Sequence, residues 1–150
     1  MKKFKFTLQT VHNVRQMKQE KEQLLLSQIM AETDKIAERL AHIRHLHSIT
    51  IEKYNARLSK GEAINIAEIE LEANNIMELD RLIRETEALL AEKKNACHEQ
   101  SKKVATAALE VKVTDSLRET QATRYRLELS RLEQNALDEM ASSNFARKNS

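Results

Sequence analysis

The sequence predicts an all-α protein, a long antiparallel two-helix coiled-coil hairpin whose second helix is longer than its first. Three observations carry this. Proline is absent and glycine occurs once in 150 residues, so neither the tight turns of a sheet protein nor repeated helix breaks are available. Ala, Glu, Lys, Leu and Arg supply 79 of the 150 residues, a composition typical of long helices and coiled coils. Taking every seventh residue from Ile69 gives Ile76, Ile83, Leu90, Cys97, Val104, Val111, Arg118, Tyr125 and Leu132, apolar at nine of ten positions. A seven-residue repeat kept that long holds one stripe against a partner helix only if the pair supercoils left-handedly.

The first helix is expected over residues 7–58. Its apolar positions are Leu8, Val11, Leu25, Ile29, Ile36, Leu40 and Ile43, then His47, Ile51, Tyr54 and Leu58 after one stutter near His47. Between Val11 and Leu25 the seam positions are Arg15, Lys18 and Glu22. Each missing Leu or Ile there forgoes roughly 1.5–3 kcal/mol of burial, which makes this stretch the weaker one.

A turn is expected over 59–65, because Gly61 is the one residue that takes the left-handed conformation closing a last helical turn at no steric cost. Asn65 with Glu68 three positions on has the form of a capping box, so the second helix begins near Ile66. That helix is expected to run to about Met140, with residues 141–150 fraying. Ala73, Ala108, Ala122, Leu129 and Ala136 form a companion stripe to the Ile69 series. Asp80, Glu87 and Lys94 interrupt it, and Leu79, Leu82 and Leu89 widen the apolar face there.

A short link makes the two helices antiparallel neighbours. A turn centred at Gly61 places Ile43 near Asp80 and Ile83, and Leu8 near Asp115. The whole chain, 1–150, then reads as one hairpin in which the second helix outruns the first. Tyr125, Leu129, Leu132 and Ala136 continue the stripe with no partner in the same chain. Apolar surface of that kind asks for another molecule.

Net charge is +2, from 25 basic and 23 acidic residues, but its distribution is uneven. Residues 1–21 hold six Lys/Arg against one acid, 102–131 seven against four, and 62–99 four against ten. The antiparallel arrangement gathers both basic segments at one end and leaves the acidic one beside the turn.

The inventory of chemistry is short. A single glycine excludes phosphate-cradling and dinucleotide-binding loops. The carboxylates fall on solvated helix faces, with no pocket to tune one for acid or base work, so the chain is expected not to be an enzyme and to need no cofactor. Cys97 lies in the seam series, where it serves as a small apolar residue; a lone cysteine forms no internal disulfide and fits a reducing compartment. His42, His45 and His47 with Glu38 have spacings that a zinc site would use, but no matching ligands stand out on the other helix, so a solvated or interface role is expected. Arg118, Arg124, Arg126 and Arg131 would suit phosphates, yet only Phe4, Phe6 and Tyr125 could act as base-stacking platforms; nucleic acid and small-molecule substrates are not expected partners. Met1-Lys2-Lys3 is not followed by the apolar run of a signal peptide, and Leu24-Leu25-Leu26 is far short of a membrane span.

The opening Lys3-Phe4-Lys5-Phe6-Thr7-Leu8-Gln9-Thr10-Val11, followed by Val14-Arg15 and 18–22, resembles the start of the FliJ family of bacterial flagellar export proteins, many of which begin F-x-F-x-L-Q and run into a long charged helix. Chain length, the two-helix plan and the polar C-terminal tail are similar as well, so the resemblance spans the chain. It implies a cytoplasmic stalk-like coiled coil of the flagellar type III export apparatus, peripheral to the inner membrane. Such a protein would insert into and stimulate the hexameric export ATPase (FliI), bind the export gate protein (FlhA) and handle export chaperones. The end carrying Arg15, Lys18, Arg118, Arg124, Tyr125, Arg126, Leu129 and Leu132 is the expected ring-binding part. The gate-binding surface implied by the family lies nearer the turn. Tyr54 and Leu79 occupy matching places there, with Leu82 nearby, while His47, Thr50 and Asn75 depart from the commoner family residues. Seam packing is an equally good reading of Tyr54 and Leu79. The alternatives are the related stalk of a virulence-type III secretion system and a generic coiled coil that self-associates in parallel.

Overall fold

The computed structural model describes residues 3–60 and 65–149. It contains two α-helices, α1 over Gln9–Ser59 and α2 over Ile66–Lys148, and among the described residues there is no strand. The second helix is the longer, at 83 residues against 51. Cross-helix contacts pair rising numbers on α1 with falling numbers on α2, as an antiparallel hairpin requires: His12 meets Thr114, Glu32 meets Lys93 and Arg57 meets Glu72. The expected turn glycine, Gly61, lies outside the described residues. The chain packs as two units, one built from the chain up to Lys21 with Ala105 onward, the other from Glu22–Val104.

Helix starts and stops follow local chemistry. The Asn65 side-chain carbonyl accepts from the Ala67 amide at 3.1 Å, satisfying one of the donors that a helix N-terminus leaves unpaired. Glu68 is turned instead toward Arg57, 3.6 Å away. At the other end α2 does not stop near Met140 but continues to Lys148. Ala141, Phe145 and Ala146 supply helix-tolerant positions, and no Gly or Pro intervenes to break the ladder. The Asn149 amide still reaches the Phe145 carbonyl at 3.2 Å.

The seam differs from the apolar pattern in an instructive way. On α2 the Ile69 series faces inward as expected: Ile69, Ile76, Ile83, Leu90, Cys97, Val104 and Val111 are all half-buried. Arg118 and Leu132, in the same series, are exposed. The more buried second line of the seam runs one residue before the companion stripe, through Glu72, Leu79, Thr86, Lys93, Gln100, Ala107 and Thr114; Ala73, Asp80, Ala108, Ala122 and Leu129 are half-buried beside it, and Glu87, Lys94 and Ala136 are exposed. Thr86, Gln100 and Thr114 are among the most buried residues described. Each disposes of its polar group on a backbone carbonyl. Thr86 donates to Leu82 O at 2.7 Å, Thr114 to Val111 O at 3.0 Å, and the Gln100 amide crosses to Glu22 O at 3.0 Å. A buried polar group so paired escapes the desolvation penalty of an unmade bond.

The inward line of α1 is likewise an unbroken 3/4 repeat. It runs His12, Arg15, Gln19, Glu22, Leu26, Ile29, Thr33, Ile36, Leu40, Ile43, His47, Thr50 and Tyr54. There is no stutter at His47. Leu8, Val11, Leu25 and Leu58, expected in the seam, are exposed by 38–43%, and Leu26 turns inward in place of Leu25. Asp80 faces His47 at 3.7 Å and Asp115 faces His12 at 3.5 Å, about one helical turn from the Ile43 and Leu8 that a turn centred on Gly61 assigns to them.

Among the described residues of the unit Glu22–Val104, Leu40 and Ile43 are the buried apolar side chains, at 4% and 7% exposure. Thr33 Oγ1 lies 3.3 Å from the Cys97 thiol, so the cysteine sits against the opposite helix. In a Cys97→Ala background, Ile43→Cys with Ile83→Cys is expected to oxidise within one chain, read as a faster-migrating monomer on a non-reducing gel. A parallel dimer would give crosslinked pairs of chains.

Candidate interaction end and its geometry

All eight residues expected at the ring-binding end belong to the unit formed by the two chain termini. They divide into those already engaged and those presented. Arg15 is half-buried and donates through Nη1 to the Glu110 carbonyl at 2.9 Å; Lys18 Nζ lies 3.7 Å from the Glu110 carboxylate. Both clamp α1 to α2. Arg118, Arg124 and Arg126 are exposed, with Arg126 Nε only 3.5 Å from Ala122 O of its own helix. Tyr125 and Leu129 are half-buried and Leu132 is 62% exposed.

The expectation that Tyr125 lacks a partner in the chain is corrected by Phe4, whose ring centroid stands 5.6 Å away at 45°. Aromatic pairs favour tilted or offset arrangements at this range. Beyond it the helix is bare: every described residue from Ser130 to Asn149 is exposed, including Leu137, Met140 and Phe145. A second open apolar strip lies on α2 at Leu109, Val113 and Leu117, bordered by Lys112, Ser116 and Thr120.

The residue class that the sequence hid is the polar joint beneath this end. His12 is 1% exposed, as is Thr114. His12 Nδ1 lies 2.6 Å from Thr114 Oγ1, and the imidazole tautomer sets which of the two donates. Its Nε2 makes no hydrogen bond and lies 3.5 Å from the Asp115 carboxylate. The Phe6 ring stands edge-on to the imidazole at 6.4 Å and is itself buried. Thr114→Val keeps the shape and leaves the buried His12 Nδ1 without its hydrogen-bond partner. It is expected to cost about 1–3 kcal/mol, seen as a lower urea midpoint, with Thr114→Ser losing less.

The six residues expected at the gate-binding surface all fall in the unit Glu22–Val104. His47, Thr50 and Tyr54 lie on the inward line of α1, and Leu79 and Leu82 are half-buried on α2; Asn75 alone is exposed. Thr50 Oγ1 donates to Leu46 O at 2.7 Å. The structure therefore brings the two stretches to the same level, tied by His47–Asp80 and Arg57–Glu72, but as a seam more than as an open patch. Beside the open Met77 side chain, this level exposes charge. Arg81 bonds Glu78 and, at 2.6 Å, Glu85; Arg84 reaches Asp80 at 3.1 Å. The Arg81 hydrogen bond holds the Glu78 carboxyl below its ordinary value, and Glu78 in turn raises the Arg81 guanidinium. Exposed pairs of this kind contribute little to stability.

Among the described residues no group of three His, Cys, Asp or Glu side chains is placed to hold a metal ion, and no helix is long and apolar enough to cross a membrane. A family model described as Flagellar FliJ protein matches residues 4–150. No curated protein matches the chain, and no solved structure does.

Proposed function

The chain belongs to the FliJ family of flagellar proteins, and on that premise we propose that it is a non-enzymatic stalk and escort of the flagellar type III export apparatus. In this reading the whole chain acts as one hairpin. Its terminal end enters the hexameric export ATPase, FliI, and stimulates it. The stretch around His47, Thr50, Tyr54, Asn75, Leu79 and Leu82 meets the export gate protein, FlhA, and the coil also handles export chaperones. It works in the cytoplasm at the inner-membrane export machinery.

The observation that carries the reading is the bare α2 segment from Ser130 onward, contiguous with exposed Arg118, Arg124 and Arg126. Leu132, Leu137, Met140 and Phe145 are each at least 60% exposed, surface that a partner would remove from water at about 25 cal/mol per Å². A coil that stands off-centre in a six-fold ring touches the six subunits unequally. Unequal contact favours some subunit states over others, and an effector shifts an equilibrium only by such differential contact. Arg15 and Lys18, bonded to Glu110, act in this scheme by holding α1 against the part of α2 that enters the ring.

The test is reconstitution of the full chain with the export ATPase and the gate protein while ATP turnover is followed. Raised turnover and co-purification with both are expected. Unchanged turnover with no co-purification would overturn the reading.

A further inference from the structure

The N-terminal residues 3–8 lie outside α1, yet two of their side chains are covered. Phe6 is buried and Phe4 half-buried, while Lys3, Lys5 and Thr7 between and beside them are exposed. That is the alternation of an extended segment laid on a surface, with i and i+2 on one side. Phe6 packs edge-on against His12, and Phe4 stands on Tyr125 of α2. Hydrogen bonds from the Gln9 amide to Phe6 O at 3.1 Å and from the His12 amide to Leu8 O at 2.9 Å join the segment to the first turn of α1. Phe4 lies upstream of both bonds, so its ring is the part that grips α2.

We propose that the surface of α2 around Tyr125 is a docking site for an aromatic side chain on an extended segment, that residues 3–8 fill it within the chain, and that Phe4 withdraws when a partner takes Tyr125. The partner part rests on the ring-binding reading given above; the docking site does not. Tyr125 sits between Arg118 and Leu129 on the surface offered to the ring, so Phe4 and a ring subunit compete for the same face of the phenol. A binding-competent state that is only partly populated lowers apparent affinity by that fraction. Phe4 thus sets a threshold for engagement, and a partner must present apolar or aromatic contact to replace it.

Two measurements on the full-length chain test this. The first needs no partner: the chain has two tyrosines and no tryptophan, so in a Tyr54→Phe background the emission comes from Tyr125. Acrylamide quenching of that emission is expected to rise when Phe4→Ala is added. Unchanged quenching would overturn the docking site. The second is binding to the purified export ATPase. Phe4→Ala is expected to tighten it by about threefold or more by removing the covered state, whereas Tyr125→Ala weakens it. If Phe4→Ala weakens binding as much as Tyr125→Ala does, Phe4 is itself a ring contact and the withdrawal is wrong. If the wild-type chain fails to bind the ATPase at all, the ring-binding reading and the withdrawal fall together, and the quenching result still decides the docking site.

Discussion

Replacing both Arg124 and Arg126 by Glu is expected to lower stimulation of the export ATPase by roughly tenfold or more, since losing charge pairs desolvated at an interface costs about 2–5 kcal/mol. Both arginines are exposed on α2, and neither clamps the helices together as Arg15 does. The hairpin itself should keep its helicity and its unfolding midpoint. The loss should shrink as salt is added, because screening weakens the wild-type attraction that the variant lacks. The matched control is Arg81→Glu with Arg84→Glu, in the acidic stretch of α2 where each arginine pairs with its own helix. That control disturbs local ion pairs and leaves stimulation near wild type. Equal loss in both variants would mean that charge in general, not the terminal end, drives stimulation.

Leu40→Ala is expected to be the most damaging single truncation for stability, at about 2–4 kcal/mol. Leu40 is 4% exposed and, with Ile43, one of two buried apolar residues among the described residues of its unit. For a chain of this size each kcal/mol moves the melting temperature by about 2–4 °C, so calorimetry should resolve the change easily. Leu24→Ala removes the same atoms from a side chain that is 60% exposed and should lie within about 0.5 kcal/mol of wild type. Comparable losses in the two variants would contradict the placement of Leu40 in the seam and Leu24 outside it.

The parts of the fold that were legible in the sequence are those written in apolar residues and caps. Composition and the Ile69 series gave two helices and a partner stripe, and Asn65 gave the start of α2. The second line of the seam was illegible because it is written in Thr86, Lys93, Gln100 and Thr114. A hydropathy pattern discards such residues, whereas the structure accepts them by pairing each threonine and glutamine with a backbone carbonyl. The same blindness made the first turns of α1 look weak. Arg15 and Glu22, gaps in a leucine seam on the apolar pattern, are with His12 its polar joints in the folded chain, while Lys18, Leu8, Val11 and Leu25 sit outside it. Centring the turn on Gly61 displaced the register by about one helical turn, so that Asp80 and Asp115 face His47 and His12 rather than Ile43 and Leu8.

The candidate site divides along similar lines. The bare segment after Ser130 followed from counting residues beyond the reach of α1, a geometric argument that needs no side-chain detail. The cover over Tyr125 did not follow, because it depends on residues 3–8 leaving the helix and returning across α2. The alternation Phe4, Lys5, Phe6, Thr7 is the signal that could have exposed it, being a period of two in a chain otherwise periodic in seven. For the gate-binding residues, the sequence could not separate seam from surface. The half-buried Thr50, Tyr54 and Leu79 belong to the seam lines, whereas Asn75, Met77 and the charges around Arg81 are open to solvent at that level.

Site-specific photocrosslinking in the presence of the export ATPase tests the central claim most directly, with a photoreactive residue placed at Leu132 in one preparation and at Leu58 in another. Both side chains are exposed, and they belong to different units of the hairpin. Crosslinks from position 132 to ATPase subunits, with none from position 58, are the result that a stalk entering the ring by its bare end requires. Crosslinks from position 58 and none from position 132 would contradict it.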